Sequence, residues 1–178
     1  MTPETIAEFW QAAGWQRWFT KDSGFDATLA SRFGDALKQA KLGELDHWAE
    51  TPVGALGLVI LLDQVSRNIH RGTPLAFAGD ARALALAMTS VARGFHQAMP
   101  APNAMWLVMP FEHAEDLACQ DRAVALFASI GLLDMVYWAN VHKDIIVRFG
   151  RFPHRNAVLG RTSTAAELAF LKSGGFAG

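Results

Sequence analysis

Six glycines, Gly14, Gly43, Gly72, Gly94, Gly131 and Gly150, each close a run of apolar residues spaced three or four apart. Glycine takes the left-handed conformation that ends a helix at little steric cost, so these positions read as helix stops. The starts are equally plain. Thr2-Pro3, Thr51-Pro52 and Thr73-Pro74 each set a hydroxyl acceptor before a proline, which loses nothing by lacking an N–H in a first helical turn. Thr164 with Glu167 three residues on has the spacing of a capping box. Within 25–42, Phe25, Leu29, Phe33 and Leu37 recur every four residues and define one amphipathic face. The first half of 52–70 is apolar on nearly every side, as a central helix would be. Helical segments at 77–93, 103–111, 114–130 and 132–149 follow, with Pro110 expected to break the chain before the next helix. No convincing alternating strand run occurs. The pattern predicts an all-α fold of about eight helices in antiparallel pairs, one domain over 1–178, with a frayed tail from about 173.

Composition bounds the rest. A chain of 178 residues suits one domain and can bury a core without disulfide or metal staples. Sixteen basic against 17 acidic residues leave a net charge of −1, which gives no global field for nucleic acid or an anionic membrane. The lone Cys119 excludes an intrachain disulfide framework, and with small apolar neighbours it reads as an inert packed thiol. The N-terminus lacks the basic and apolar regions of a signal peptide. The apolar run from Pro52 to Leu62 is far short of the ~20 residues a spanning helix needs. A cytoplasmic protein is the resulting expectation. Phe9, Trp10, Trp15, Trp18 and Phe19 crowd the N-terminal region, either packed on the core or forming a stacking platform for a ligand.

Three polar strings interrupt this apolar chain. The first, LLDQVSRNIHRG over 61–72, places Asp63, Gln64, Arg67, Asn68 and Arg71 within about 140° of a helix at 100° per residue. Asp63 and Arg67 stand at i,i+4 with the acid first, the favoured order. Either these charges are solvated where the helix reaches the surface, or they converge on a ligand. The second string, MPFEHAED over 109–116, surrounds His113 with Glu112, Glu115 and Asp116. On one helix Glu112 and Asp116 would share a face with His113 beside them, a set suited to a hard metal or to acid–base work, or simply to a helix N-terminus. The third, over 142–161, carries His142, Arg148, Arg151, His154, Arg155, Asn156 and Arg161. Its arginines suit a structural ion-pair network or an anion, Asp144 and Arg148 have i,i+4 spacing, and His142 shares a helix face with Trp138, Ile145, Ile146 and Phe149.

These strings resemble a bacterial domain-of-unknown-function family, number nine hundred and twenty-four. The similarity runs along nearly the whole chain, through Phe25-Asp26, LLDQ…RNI.RG, Ala76-Phe77 with Asp80, MPFEHAED, and DII.RFGRFPHRN..LGR.ST. Val65-Ser66 stands where relatives are expected to carry Phe-Pro, which removes a helix-kinking proline, and His70 stands where a tyrosine is expected. The resemblance implies an all-helical fold similar to tetratricopeptide-repeat superhelices, and implies no activity. No phosphate-loop, dinucleotide, zincin or nucleophile-elbow motif is present, and no cofactor is called for.

The leading expectation is therefore a binding protein. A small polar or anionic ligand would sit in a water-accessible hollow shared by Asp63, Gln64, Arg67, Asn68, Arg71, Glu112, His113, Asp116, His142, Arg148, Arg151, His154, Arg155 and Asn156. A hydrolase or transferase is the alternative, with His113 or Glu112 as general base and Arg67 or Arg151 steadying negative charge, or with a metal on Glu112, His113 and Asp116. A helical module for a protein partner is the third reading. Nucleic acid has only the basic 148–161 stretch in its favour.

Overall fold

The computed structural model describes residues 1–176. Among these, eight α-helices form and there are no strands. Helix α1 is Pro3–Trp18 and α2 is Ser23–Leu42. Helix α3 spans 52–69 continuously, though Ile60–Val65 winds as a π-turn. Then come α4, Asp80–Ala92; α5, Ala101–His113; α6, Leu117–Ser129; α7, Leu133–Phe149; and α8, Ala165–Lys172. Short 3-10 turns at Asp46–Glu50, Pro74–Phe77, Phe95–Gln97 and Pro153–Arg155 fill the connections.

The punctuation works as its chemistry requires. Thr2 and Thr51 accept from the amides of Thr5 and Gly54 at 3.3 and 3.1 Å. Thr164 and Glu167 form the reciprocal capping box. Thr73-Pro74 opens a 3-10 turn, and the Thr73 hydroxyl turns back to donate to the His70 carbonyl. All six stop glycines have φ between 69° and 84°; at Gly14 this bends α1 four residues before its end. Pro110 does not break the chain where expected. It sits inside α5, which continues three residues to His113. A proline so near a C-terminus forfeits one backbone bond but leaves only one more turn to maintain.

Helix α3 is the axis. Residues 54–65 are buried throughout, and α1, α2, α4 and α5 pack around them. The Phe25–Leu29–Phe33–Leu37 face of α2 is buried against this core as the spacing predicts. Trp106 on α5 receives Trp10 and Trp18 edge-on, with centroids 5.4 and 4.9 Å away, while Trp15 and Phe19 remain exposed. Helices α5, α6 and α7 follow one another through three-residue links, and each packs on the next.

A second, smaller core lies at the C-terminal end. Ile145 and Ile146 of α7 and the fully buried Phe152 pack there with Phe149, Phe170 and Phe176. Of the tail expected to fray, Phe176 packs its ring 4.5 Å from that of His142; residues 177–178 lie outside the described residues. One stretch, 74–92, is long and apolar enough by composition to cross a membrane. It is not one smooth helix: a 3-10 turn and α4 meet at Gly79, and Ala83, Ala87 and Val91 face into the core.

Candidate functional site

The π-turn of α3 sets the first part of the site. An extra residue in one turn leaves backbone groups out of the regular ladder, a feature common at functional positions. It forms here without the proline expected in relatives. Ser66, in that place, instead donates its hydroxyl to the Leu75 carbonyl at 3.1 Å and draws the Pro74–Phe77 turn against α3. That turn delivers Asp80 at the start of α4.

Asp63 is fully buried. The idea that its helix simply reaches water is thus overturned: other elements cover it. His113, from the end of α5, donates its Nδ1–H to both Asp63 oxygens at 2.8 and 2.9 Å. Arg67 donates to Asp63 Oδ1 at 3.0 Å and to both oxygens of Asp80 at 3.0 Å, and Gln64 donates to Asp63 Oδ2. Burial alone would raise the Asp63 carboxyl, but His113 and Arg67 overcome it and hold the group well below the ordinary carboxylate range. The His113 imidazole is pushed below its usual value by burial, against the pull of Asp63. The pair is therefore read as a carboxylate holding a neutral imidazole, whose Nε2 makes no hydrogen bond among the described residues.

The five polar residues of the first string do not converge on one point. Asn68 and Arg71 lean the other way and clamp Asp26 of α2, with Asn68 at 2.7 Å and Arg71 at 2.9 and 3.0 Å. The second string also divides. It is not one helix across 112–116, so Glu112 and Asp116 share no face. Asp116 caps α6 by accepting from the Cys119 amide at 2.8 Å, and burial raises the Cys119 thiol to about 11. Glu115 in the link accepts from both terminal nitrogens of Arg161, at 2.6 and 2.9 Å, and from the Phe152 amide. Buried Glu112 lies with Oε1 2.9 Å from Nδ1 of His142, while the hydrogen bond of that Nδ1 goes to the Trp138 carbonyl. No group of three or more His, Cys, Asp or Glu arranged to hold a metal occurs among the described residues.

The third string supplies the cationic side. Arg148 makes no ion pair with Asp144; its guanidinium lies over Phe149 and Phe170 at 4.8 and 5.2 Å. Arg151 grips Glu167 at 2.6 and 2.9 Å, away from the other strings. Asn156 is buried, donates to Ser163 and leaves its carbonyl oxygen unpartnered among the described residues. His154 touches the Phe152 and Phe176 rings, and burial, then the charge of Arg155, push its imidazole down to about 3.

Arg155 is the exception among these arginines. Its side chain is 7% exposed and makes no hydrogen bond among the described residues; Asp80 Oδ2 is 3.5 Å from it. The guanidinium rests over Phe152 at 4.5 Å and Phe77 at 4.9 Å, and Arg67 reaches the same Phe77 ring at 5.2 Å. Burial and the nearby Arg67 charge lower it to about 10, so it stays charged at neutral pH.

Asp63, Arg67, Glu112, His113, His142, His154 and Arg155 thus form one compact cluster between the main core and the smaller one. Asp80, Phe77 and Phe152 complete it; the sequence reading carried them in the family resemblance but not among the candidate site residues. Asp80 follows Gly79, the glycine that lets its turn approach α3. The expected open hollow takes a different form, a packed network. Two surface hollows of about 300 and 310 Å³ lie elsewhere, one between α2 and His70, the other between Trp15 and Leu133.

The family described as bacterial proteins of unknown function, DUF924, matches residues 6–175. The solved structure of a protein of unknown function from Agrobacterium tumefaciens, ATU0120, is 42% identical. It superposes with a TM-score of 0.92 over 96% of this chain and 97% of that one. The search of curated proteins found no match.

Proposed function

Since the chain belongs to the bacterial DUF924 family, whose description assigns no activity, we propose a function from the site alone: it binds a small monoanion on Arg155, with Arg67 behind. The supporting observation is the state of the Arg155 guanidinium, 7% exposed and without a hydrogen bond among the described residues. A guanidinium has five donors, and a buried charge left without hydrogen bonds is costly, so a site that retains one has chemistry waiting for a partner. The charge balance limits the valence. With His113 neutral, the Asp63 and Asp80 carboxylates are matched by the Arg67 and Arg155 guanidiniums. The cluster holds no surplus charge, so among anions a singly charged one suits it best. Phe77 and Phe152, against the guanidinium, suit an apolar ligand body.

Binding requires the 150–164 segment, which carries Arg155, to yield, since that side chain is 7% exposed. Titration calorimetry with acetate, benzoate, dimethyl phosphate and inorganic phosphate tests the reading. Saturable binding of a monoanion is expected, with at least a tenfold loss in Arg155→Met, a change worth about 1.4 kcal/mol. Absence of binding by all four, or equal affinity in Arg155→Met, removes the proposal.

A further inference from the structure

Two histidines in this cluster each set Nδ1 beside a buried carboxylate. His113 has Nδ1 fixed on the buried carboxylate of Asp63 at 2.8 Å, and His142 has Nδ1 2.9 Å from the buried carboxylate of Glu112. In neither ring does Nε2 make a hydrogen bond among the described residues. Each ring keeps a little exposure, 15% and 11%, and the two centroids are 6.5 Å apart. An acceptor on Nδ1, the Asp63 carboxylate for His113 and the Trp138 carbonyl for His142, fixes the tautomer and orientation of an imidazole and leaves Nε2 as the working nitrogen. The pairs come from α3 with α5 and from α5 with α7, so the fold brings three helices together to build them. Beside them stand the two guanidiniums, a ready partner for charge that develops on a reacting oxygen.

Resting on the monoanion reading above, we propose that this site hydrolyses a phosphoric diester, with His113 as general base and His142 as general acid. A diester is the choice because it carries a single negative charge, the least an anion can bring to this balanced cluster, and is itself an electrophile. A free carboxylate carries the charge but has no bond that water can break at neutral pH. Water gives one proton to His113 Nε2 while its oxygen bonds to phosphorus. The bond from phosphorus to one ester oxygen breaks with its electron pair, and that oxygen takes a proton from His142 Nε2 as it leaves as an alcohol. The products are a phosphate monoester and that alcohol. Asp63 stays ionised throughout and acts as a positioning residue, while Glu112 lies beside His142 at 2.9 Å. Exchange of protons with solvent returns both rings to their starting forms.

The test uses the full chain with bis(p-nitrophenyl) phosphate as substrate and dimethyl phosphate as the calorimetric probe. Release of p-nitrophenolate above the buffer rate is expected, with saturation. His113→Ala should lower the rate about 10²- to 10⁴-fold, the usual span for a positioned acid or base, with dimethyl phosphate affinity changed less than threefold. His113→Gln, whose amide can still donate to Asp63, guards against a folding loss and should be equally slow. Asp63→Asn should alter the pH profile of the rate, which a merely structural carboxylate would leave in shape. A wild-type rate equal to buffer, or a His113 variant as fast as wild type, overturns the catalytic inference. If dimethyl phosphate still binds in that case, the monoanion reading stands alone; if it does not bind, both fall.

Discussion

Glu167 shows how one side chain can hold a segment. It is buried, closes the capping box of α8 through the Thr164 amide at 2.7 Å and accepts both Arg151 donors. The Arg151 hydrogen bonds, with that amide, hold its carboxyl at about 2, below the ordinary 4.5. A carboxyl depressed in the folded state adds stability above its unfolded value, and that contribution disappears as pH falls through the folded value. The difference in Tm between wild type and Glu167→Gln should therefore be constant above pH 4.5 and shrink toward zero near pH 2; thermal melts across that range check it. His154 pushes the same way: between pH 6.5 and about 3 only the unfolded imidazole takes up a proton, so acidification costs stability. Residue identity alone shows which of these groups can titrate. It does not show that Arg155 lacks a hydrogen bond among the described residues while Arg151 and Arg161 each hold a carboxylate through two, because the three sit within eleven residues of the same basic stretch.

Among the elements, α3 and the turn that follows it decide the site. A Cβ at Gly79 would lie 2.4 Å from the Leu62 carbonyl oxygen, inside the π-turn. Gly79 is needed for this close approach and not for its backbone angles, which any residue could adopt. Gly79→Ala should push α4 away from α3, loosen the Arg67 bond to Asp80 and cost about 1–3 kcal/mol, as overpacking does; chemical denaturation measures it. Helix α5 makes the complementary point. The pattern of MPFEHAED suggested one acidic helix face, yet the helix ends at His113 and a new cap begins at Asp116. Asp116 at a helix N-cap and Glu112 at a helix C-terminus are therefore parted by chain geometry. Periodicity located both helices and could not resolve the three-residue link between them.

At the scale of the molecule, the charged cluster lies in the seam between two cores of unequal size. The smaller core has three buried apolar residues, Ile145, Ile146 and Phe152. The 150–164 segment is therefore held across the seam chiefly by polar contacts, with Glu115 gripping Arg161 and the Phe152 amide. Glu115→Gln should raise amide hydrogen exchange in 150–164 at least severalfold while the α3 amides keep their protection, since local opening follows local contacts. Exchange mapped by mass spectrometry decides this, and equal changes in both regions would mean the two cores open as one. The sequence by itself determined the all-helical class, the helix starts and stops, the central position of α3 and the three strings that carry the polar chemistry. Those follow from caps, left-handed glycines and apolar spacing, all of which act over a few residues. Only the tertiary structure decided which polar groups meet: Asp63 with His113 fifty residues on, Asp26 with Arg71, Asp80 beside Arg155. Burial of a charge depends on what lands above it, and distant helices supply that cover through packing that no local pattern records.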